Sequence, residues 1–218
     1  MAERASFMLK KFFKNIDKFT HYKAGKVIRA FTNVNSRDFW DKKLVARGNF
    51  WRDFPYRHIA EFLPQEQEFS LLDIGCALGD GAIFLKRSFP QAKISGLDFS
   101  KYAIKKAKSK SDEVSFYCLD ILKDNLSATF DYITMASIIE HFNDPFFVVD
   151  KCLRFAKKAL LIFAPYTKDI AIPCLYSRSE HRYLFNEHTF DKYMCRVLKV
   201  TEKIKETGYQ YILYRISP

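Results

Sequence analysis

From residue 70 onward, short and nearly continuous apolar runs alternate with segments whose apolar residues recur every three or four positions. SLLDIG (70–75), KISGLDFS (93–100), VSFYCLD (114–120), FDYITMAS (130–137) and KALLIFAP (158–165) have strand length and strand composition. Between them, GDGAIFLKRSF (79–89), KYAIKKAKSK (101–110) and DPFFVVDKCLRFA (144–156) have helical spacing, and the first stops before Pro90. Strands separated by helices of this size predict right-handed crossovers and a parallel sheet buried on both faces. RVLKVTEKIKE (196–206) and YQYILYRIS (209–217) then read as a terminal hairpin that puts one antiparallel strand into the sheet. The expected fold is therefore α/β: a doubly wound, mostly parallel seven-stranded sheet with one antiparallel strand in the C-terminal hairpin and helices on both faces.

Upstream, residues 6–31 place Phe12, Ile16 and Phe19 at helical spacing with lysines opposite, and residues 50–62 read as a second helical segment. LPQEQE (63–68) reads as a linker. Residues 1–62 are thus expected to form a helical extension or cap, and residues 63–218 the main domain.

The chain has 218 residues, of which 48% are hydrophobic, so it can bury one substantial core. No apolar run reaches 18 residues, which argues against a membrane-spanning helix, and the N-terminus lacks the apolar core of a signal peptide. Five scattered cysteines without a CxxC pair suit reduced thiols and a cytoplasmic location. The net charge of +11 favours an anionic partner. Eight Lys/Arg against two acids fall within residues 1–31, so a basic amphipathic helix over 7–31 offers peripheral contact with an anionic inner-membrane surface. The five lysines of 101–110 read as a solvated helix face. Neither run interleaves aromatics with arginines, which disfavours nucleic acid as a partner.

Gly75 follows the first strand and Gly79 precedes the first helix, where ligands of open α/β sheets bind. The G-x-x-x-G-x-G spacing differs from the G-x-G-x-x-G of dinucleotide sites and suits a ligand without phosphate at the helix N-terminus. Asp73, Asp98 and Asp120 close three successive strands. An acid at position 98 can accept from both hydroxyls of a ribose, and Asp120 can accept from an adenine amine while the Ile121 amide donates to a ring nitrogen.

LLDIGCALGDGA, ISGLDFS, FYCLDIL and FDYITMASIIEHFNDP resemble the successive motifs of the class I S-adenosylmethionine-dependent methyltransferases, over about residues 65–195. The resemblance is nearest to small-molecule enzymes, and Ala77 departs from it where the family often has glycine. It implies S-adenosylmethionine as cofactor, with S-adenosylhomocysteine as product. Asp73 would hold the glycine loop and reach the methionine amine. Gly75, Cys76, Ala77 and Gly79 would line methionine and ribose. Asp98 would take the ribose, Phe99 would pack on adenine, and Asp120 with Ile121 would read the adenine edge. The carbonyl near Ala136 would meet the methionine amine. Arg47 and Arg52 read first as surface ion-pairing residues, with the methionine carboxylate as their alternative partner. EHRYLFNEHTFDKYM (180–194) is similar to the family's segment covering the acceptor, often His, aromatic and then a capped helix.

Methyl transfer to an alcohol needs a base, and His141 and His181 are the candidates, with Glu140 beside the first. His188 follows a cap at Asn186 and reads as structural. No set of oxygen ligands for magnesium can be assembled, so no metal is expected. Tyr176, Arg178, Arg182 and Tyr183 suit a sugar or phosphate-bearing acceptor, which points to O-methylation in glycan or secondary-metabolite assembly. The alternatives are a nucleic-acid methyltransferase using the basic N-terminus, against which stands the missing Asn/Asp-Pro-Pro-aromatic pattern, and a non-catalytic binding module with this fold.

Overall fold

The computed structural model describes residues 35–47, 53–65, 68–168, 183, 185–201 and 210–218. The expected helix and membrane contact over 7–31, Arg52, His181, Tyr176, Arg178 and Arg182 lie outside the described residues, as does the side chain of Arg47.

Two helices come first, α1 (Arg37–Arg47) and α2 (Phe54–Ala60). The alternation follows: β1 (Ser70–Ile74), α3 (Asp80–Ser88), β2 (Lys93–Asp98), α4 (Lys101–Lys108), β3 (Ser115–Cys118), β4 (Phe130–Ala136), a 3-10 turn (Ile139–His141), α5 (Pro145–Leu153) and β5 (Ala156–Tyr166). β6 (Cys195–Val200) and β7 (Gln210–Ile216) complete a seven-stranded sheet in the order β3-β2-β1-β4-β5-β7-β6. β1–β5 run parallel, and β7 is antiparallel to both of its neighbours, as the apolar pattern predicts.

Local chemistry explains the boundaries. Ser100 caps α4 by accepting from the Ala103 amide at 3.0 Å, and Asp144 caps α5 by accepting from the Phe146 and Phe147 amides at 3.0 Å. Pro55 and Pro145 occupy first-turn positions, where a missing N–H costs nothing.

The sheet separates two cores. One joins Leu71, Leu161 and Phe163 to Tyr56 and Ile59 of α2 and Leu85 of α3; the other joins Leu72, Ile133 and Ile162 to Val148 and Val149 of α5 and to Phe185 and Phe190. Because strand side chains alternate, Asp73 points into the first core with Leu71, while Leu72 and Ile74 point into the second.

Two elements differ from expectation. α1 is not signalled by its apolar spacing, and its start is marked only by Ser36, whose hydroxyl accepts from the Phe39 amide at 3.2 Å. Residues 187–192 form turns where a capped helix is expected, with the Asn186 side chain accepting from the His188 amide at 3.0 Å.

Candidate functional site

The strand order puts the C-terminal ends of β3, β2, β1 and β4 side by side. Between β1 and α3 the chain makes a bend in which Gly75 (φ 76°), Ala77 (φ 46°) and Gly79 (φ 83°) all take left-handed conformations. The Gly75 and Cys76 amides donate to the Leu97 carbonyl at 2.7 and 3.1 Å, fastening the bend to β2. A Cβ on Gly75 would lie 2.2 Å from Ile138, and one on Gly79 would lie 2.7 Å from Ala107 and 2.8 Å from Phe116. Both positions therefore demand glycine for packing as well as for conformation. Ala77 sits left-handed at an expected cost of about 1 kcal/mol. Ala77→Gly, which trades that strain against backbone entropy, should leave stability unchanged or raise it by up to about 1 kcal/mol in thermal unfolding.

Asp98 is the centre of this edge. It is 7% exposed, its Oδ2 accepts from the Ala77 amide at 2.9 Å, and its Oδ1 accepts from the Ser100 amide at 2.8 Å. Burial, with a smaller push from Asp41, brings its pKa up to about 6 against the pull of these amides. Each carboxylate oxygen keeps acceptor capacity beyond one amide.

Asp73 is fully buried, with Oδ2 accepting from the Tyr56 hydroxyl at 2.9 Å and Oδ1 from the Thr134 hydroxyl at 3.1 Å. Burial raises it to about 7 despite those donors. Among the described residues the loop amide goes to Asp98 rather than to Asp73, so Asp73 ties the sheet to α2. Asp120 lies beyond the end of β3, accepts from the Leu122 amide at 3.0 Å, and is 3.5 Å from the Lys123 ammonium. Ile121 and Cys76 are buried, and Phe99 and Ala136 are half-buried at the same edge.

After β4, Ser137 turns left-handed (φ 55°) and leads into the turn carrying Glu140 and His141. The His141 ring packs edge-on against Trp40 of α1, with centroids 5.0 Å apart, and the His141 carbonyl accepts from the Asn35 side chain at 3.1 Å. Glu140 is fully buried, and burial raises its pKa to about 8. Beyond β5, the Tyr183 hydroxyl donates to the Asn143 carbonyl, two residues past that turn. Sequence reasoning missed Tyr56, Thr134, Ser100, Trp40 and Asp41. Only Ser100, a serine directly before a helical pattern, carried a local signal. Among the described residues, no group of three or more His, Cys, Asp or Glu is placed to hold a metal ion, and no helix is long and apolar enough to cross a membrane.

The raised carboxyls set a pH dependence. Protonation of Glu140 persists to about pH 8 in the fold, above its ordinary 4.5. It therefore contributes stability fully at acid pH and loses it as pH rises from the ordinary carboxylate range through about 8. Glu140→Gln removes that titration. The variant should melt above wild type at pH 9, and that advantage should shrink at pH 5.5, where the wild-type carboxyl is protonated in the fold. An equal difference at both pH values would show that Glu140 does not titrate with unfolding.

Residues 72–159 match the family described as "Methyltransferase domain". The malonyl-[acyl-carrier protein] O-methyltransferase of Priestia megaterium is 33% identical over 95 residues, 43% of this chain and 35% of its own length. The ubiquinone biosynthesis O-methyltransferase of Chromobacterium violaceum is 28% identical over 149 residues, 61% of this chain and 63% of its own. The match thus spans about a third of the length of the first of these relatives. A similar fold is found in the magnesium protoporphyrin IX methyltransferase of Synechocystis PCC 6803 with bound SAM. It has a TM-score of 0.59 and 15% identity, and the alignment covers 89% of this chain and 97% of that one.

Proposed function

We infer that this chain, a member of the class I S-adenosylmethionine-dependent methyltransferase family, transfers a methyl group to an oxygen of a small polar acceptor. The observation that carries the reading is Asp98 at the tip of β2, reaching back across the Gly75–Gly79 bend to hold the Ala77 amide. The donor set fits an adenosyl group with a cationic tail: Asp98 offers acceptors to ribose hydroxyls, Asp120 and Ile121 offer an acceptor and a backbone donor to the adenine edge, and Gly75, Cys76, Ala77 and Gly79 keep the bend narrow. Phe99 would pack against adenine, and the Ala136 carbonyl would accept from the methionine amine. Asp73, fully buried and bonded to Tyr56 and Thr134, ties the strand that carries the bend to α2 and to β4.

S-adenosylmethionine, when bound, supplies a methyl group on a positively charged sulfur, already bonded to a good leaving group. The chain's task is then alignment and exclusion of water, and orientation alone contributes about 7–11 kcal/mol to such a displacement. His141 is our base for the acceptor hydroxyl, a task worth about 10²–10⁴-fold. It stands at the outgoing end of β4 on the side of the cleft that α1 covers. Glu140 stays protonated at neutral pH and is not assigned that task. We assign residues 1–62 as an extension whose described helices close over this edge. The two O-methyltransferases support transfer to oxygen, and the net charge of +11 favours an anionic acceptor.

Titration calorimetry of the full chain with S-adenosylmethionine, S-adenosylhomocysteine and NAD tests the reading. The first two should bind and NAD should not. Binding of NAD alone would return the site to the dinucleotide class.

A further inference from the structure

α1 touches the α4 cap and the turn after β4 with successive residues. Trp40 packs edge-on against His141, on the turn after β4. Asp41, on the next position, accepts from the Ser100 hydroxyl. Ser100 is fully buried and is the cap of α4, and its own amide donates to Asp98 at 2.8 Å. Asp98 in turn holds Ala77. One turn further along α1, Leu44 is buried against Leu78 and Ala103, with Ala77 and Tyr102 alongside. A single helix therefore meets the α4 cap through Asp41, the bend through Leu44 and the histidine turn through Trp40, while Asn35, just before the helix, bonds the same turn.

We propose that Asp41 is a positioning residue that couples the cofactor side of the site to the acceptor side: through Ser100 it fixes the orientation of Asp98, and through α1 it sets where Trp40 stands against His141. The inference rests on the cofactor reading above. Asp98, Ser100, Asp41 and Trp40 already form one chain of contacts, so a ribose held by Asp98 bears on the same chain that seats Trp40 against His141. Leu44 packs against the bend whether or not Asp41 is present, so only the hydrogen-bonded arm of the contact depends on the carboxylate.

The chain has two tryptophans, Trp40 and Trp51, so Trp51→Phe leaves Trp40 as the sole indole reporter. In that background, S-adenosylhomocysteine should bind by calorimetry and produce a saturable change in Trp40 emission with the same midpoint. Adding Asp41→Ala should weaken binding by about tenfold, as expected for loss of one hydrogen bond to a charged group, and abolish the emission change at full occupancy. Asp41→Asn, which keeps an acceptor for Ser100, should restore most of both, and Asp41→Leu, which has no acceptor, serves as the test variant should the alanine variant fail to fold. A merely structural role for Asp41 would lower melting temperature and leave the emission change of the bound state intact. Unchanged affinity and emission in the alanine or leucine variant, or binding without an emission change in the Trp51→Phe parent, would overturn the coupling while leaving the cofactor reading standing. Absence of binding to the parent and to wild type alike would overturn the cofactor reading and the role of Asp41 with it.

Discussion

Asp98→Ala should weaken S-adenosylhomocysteine binding by more than about a hundredfold, the largest loss from any single side chain at this edge. Two separate contributions make it large. The carboxylate is the acceptor through which a ribose would be gripped, and charge-assisted hydrogen bonds of that kind contribute about 1.5–3 kcal/mol each. The same carboxylate also holds the Ala77 and Ser100 amides at 2.9 and 2.8 Å, so its removal leaves those two amides without that acceptor and the bend fastened to β2 through the Gly75 and Cys76 amides on Leu97. Asp98→Asn separates these contributions. Its oxygen can still take one amide, but its NH₂ faces the other, so donor meets donor. A pH titration adds a further handle. Asp98 is ionised above about 6, and only the ionised form accepts at both oxygens, so wild-type affinity should fall as pH drops below that value. The measurement is calorimetry between pH 5 and 8 on all three proteins. Alanine and wild-type proteins binding equally well would remove Asp98 from the site.

The framework of this edge was legible because its signals are local. Apolar runs of strand length and helical spacing between them are properties of neighbouring residues, and β1 through β5 fall where those patterns put them. Acids at three strand ends were visible for the same reason. What each acid holds was not. Asp73 lies 17 residues from Tyr56 and 61 from Thr134, and no local pattern says that a hydroxyl from α2 will reach it. α1 escaped notice because its sequence, RDFWDKKLVAR, lacks a continuous apolar stripe; it is held by Leu44, Trp40 and Asp41, each meeting a different neighbour. A helix with mixed contacts of that sort has no periodic signature. The glycines were read as making room for a ligand. In the fold, Gly75 and Gly79 also make room for Ile138, Ala107 and Phe116, which composition alone cannot distinguish from room for a ligand.

Gly81 shows the same point with the larger consequence for stability. It lies in the first turn of α3, where helix propensity by itself favours alanine by about 1 kcal/mol. Gly81→Ala should nevertheless destabilise the protein by about 3–5 kcal/mol. A Cβ there would stand 2.0 Å from Cζ of Tyr56 and 2.4 Å from its two Cε atoms, inside the ring. The ring cannot simply swing aside, because Tyr56 is buried between α2 and the sheet and its hydroxyl donates to Asp73 at 2.9 Å. Displacing it uncovers an aromatic side chain and strips a donor from a fully buried carboxyl, each costing a few kcal/mol. For a chain of this size the loss corresponds to a melting temperature about 10 °C lower. The pair can be separated by a double-mutant cycle. Tyr56→Ala removes the obstacle, so Tyr56→Ala/Gly81→Ala should melt close to Tyr56→Ala alone, with a coupling of several kcal/mol between the two sites. If Gly81→Ala melts at or above wild type, the ring of Tyr56 does not occupy that position, and the tie from α2 to Asp73 that organises this edge fails with it.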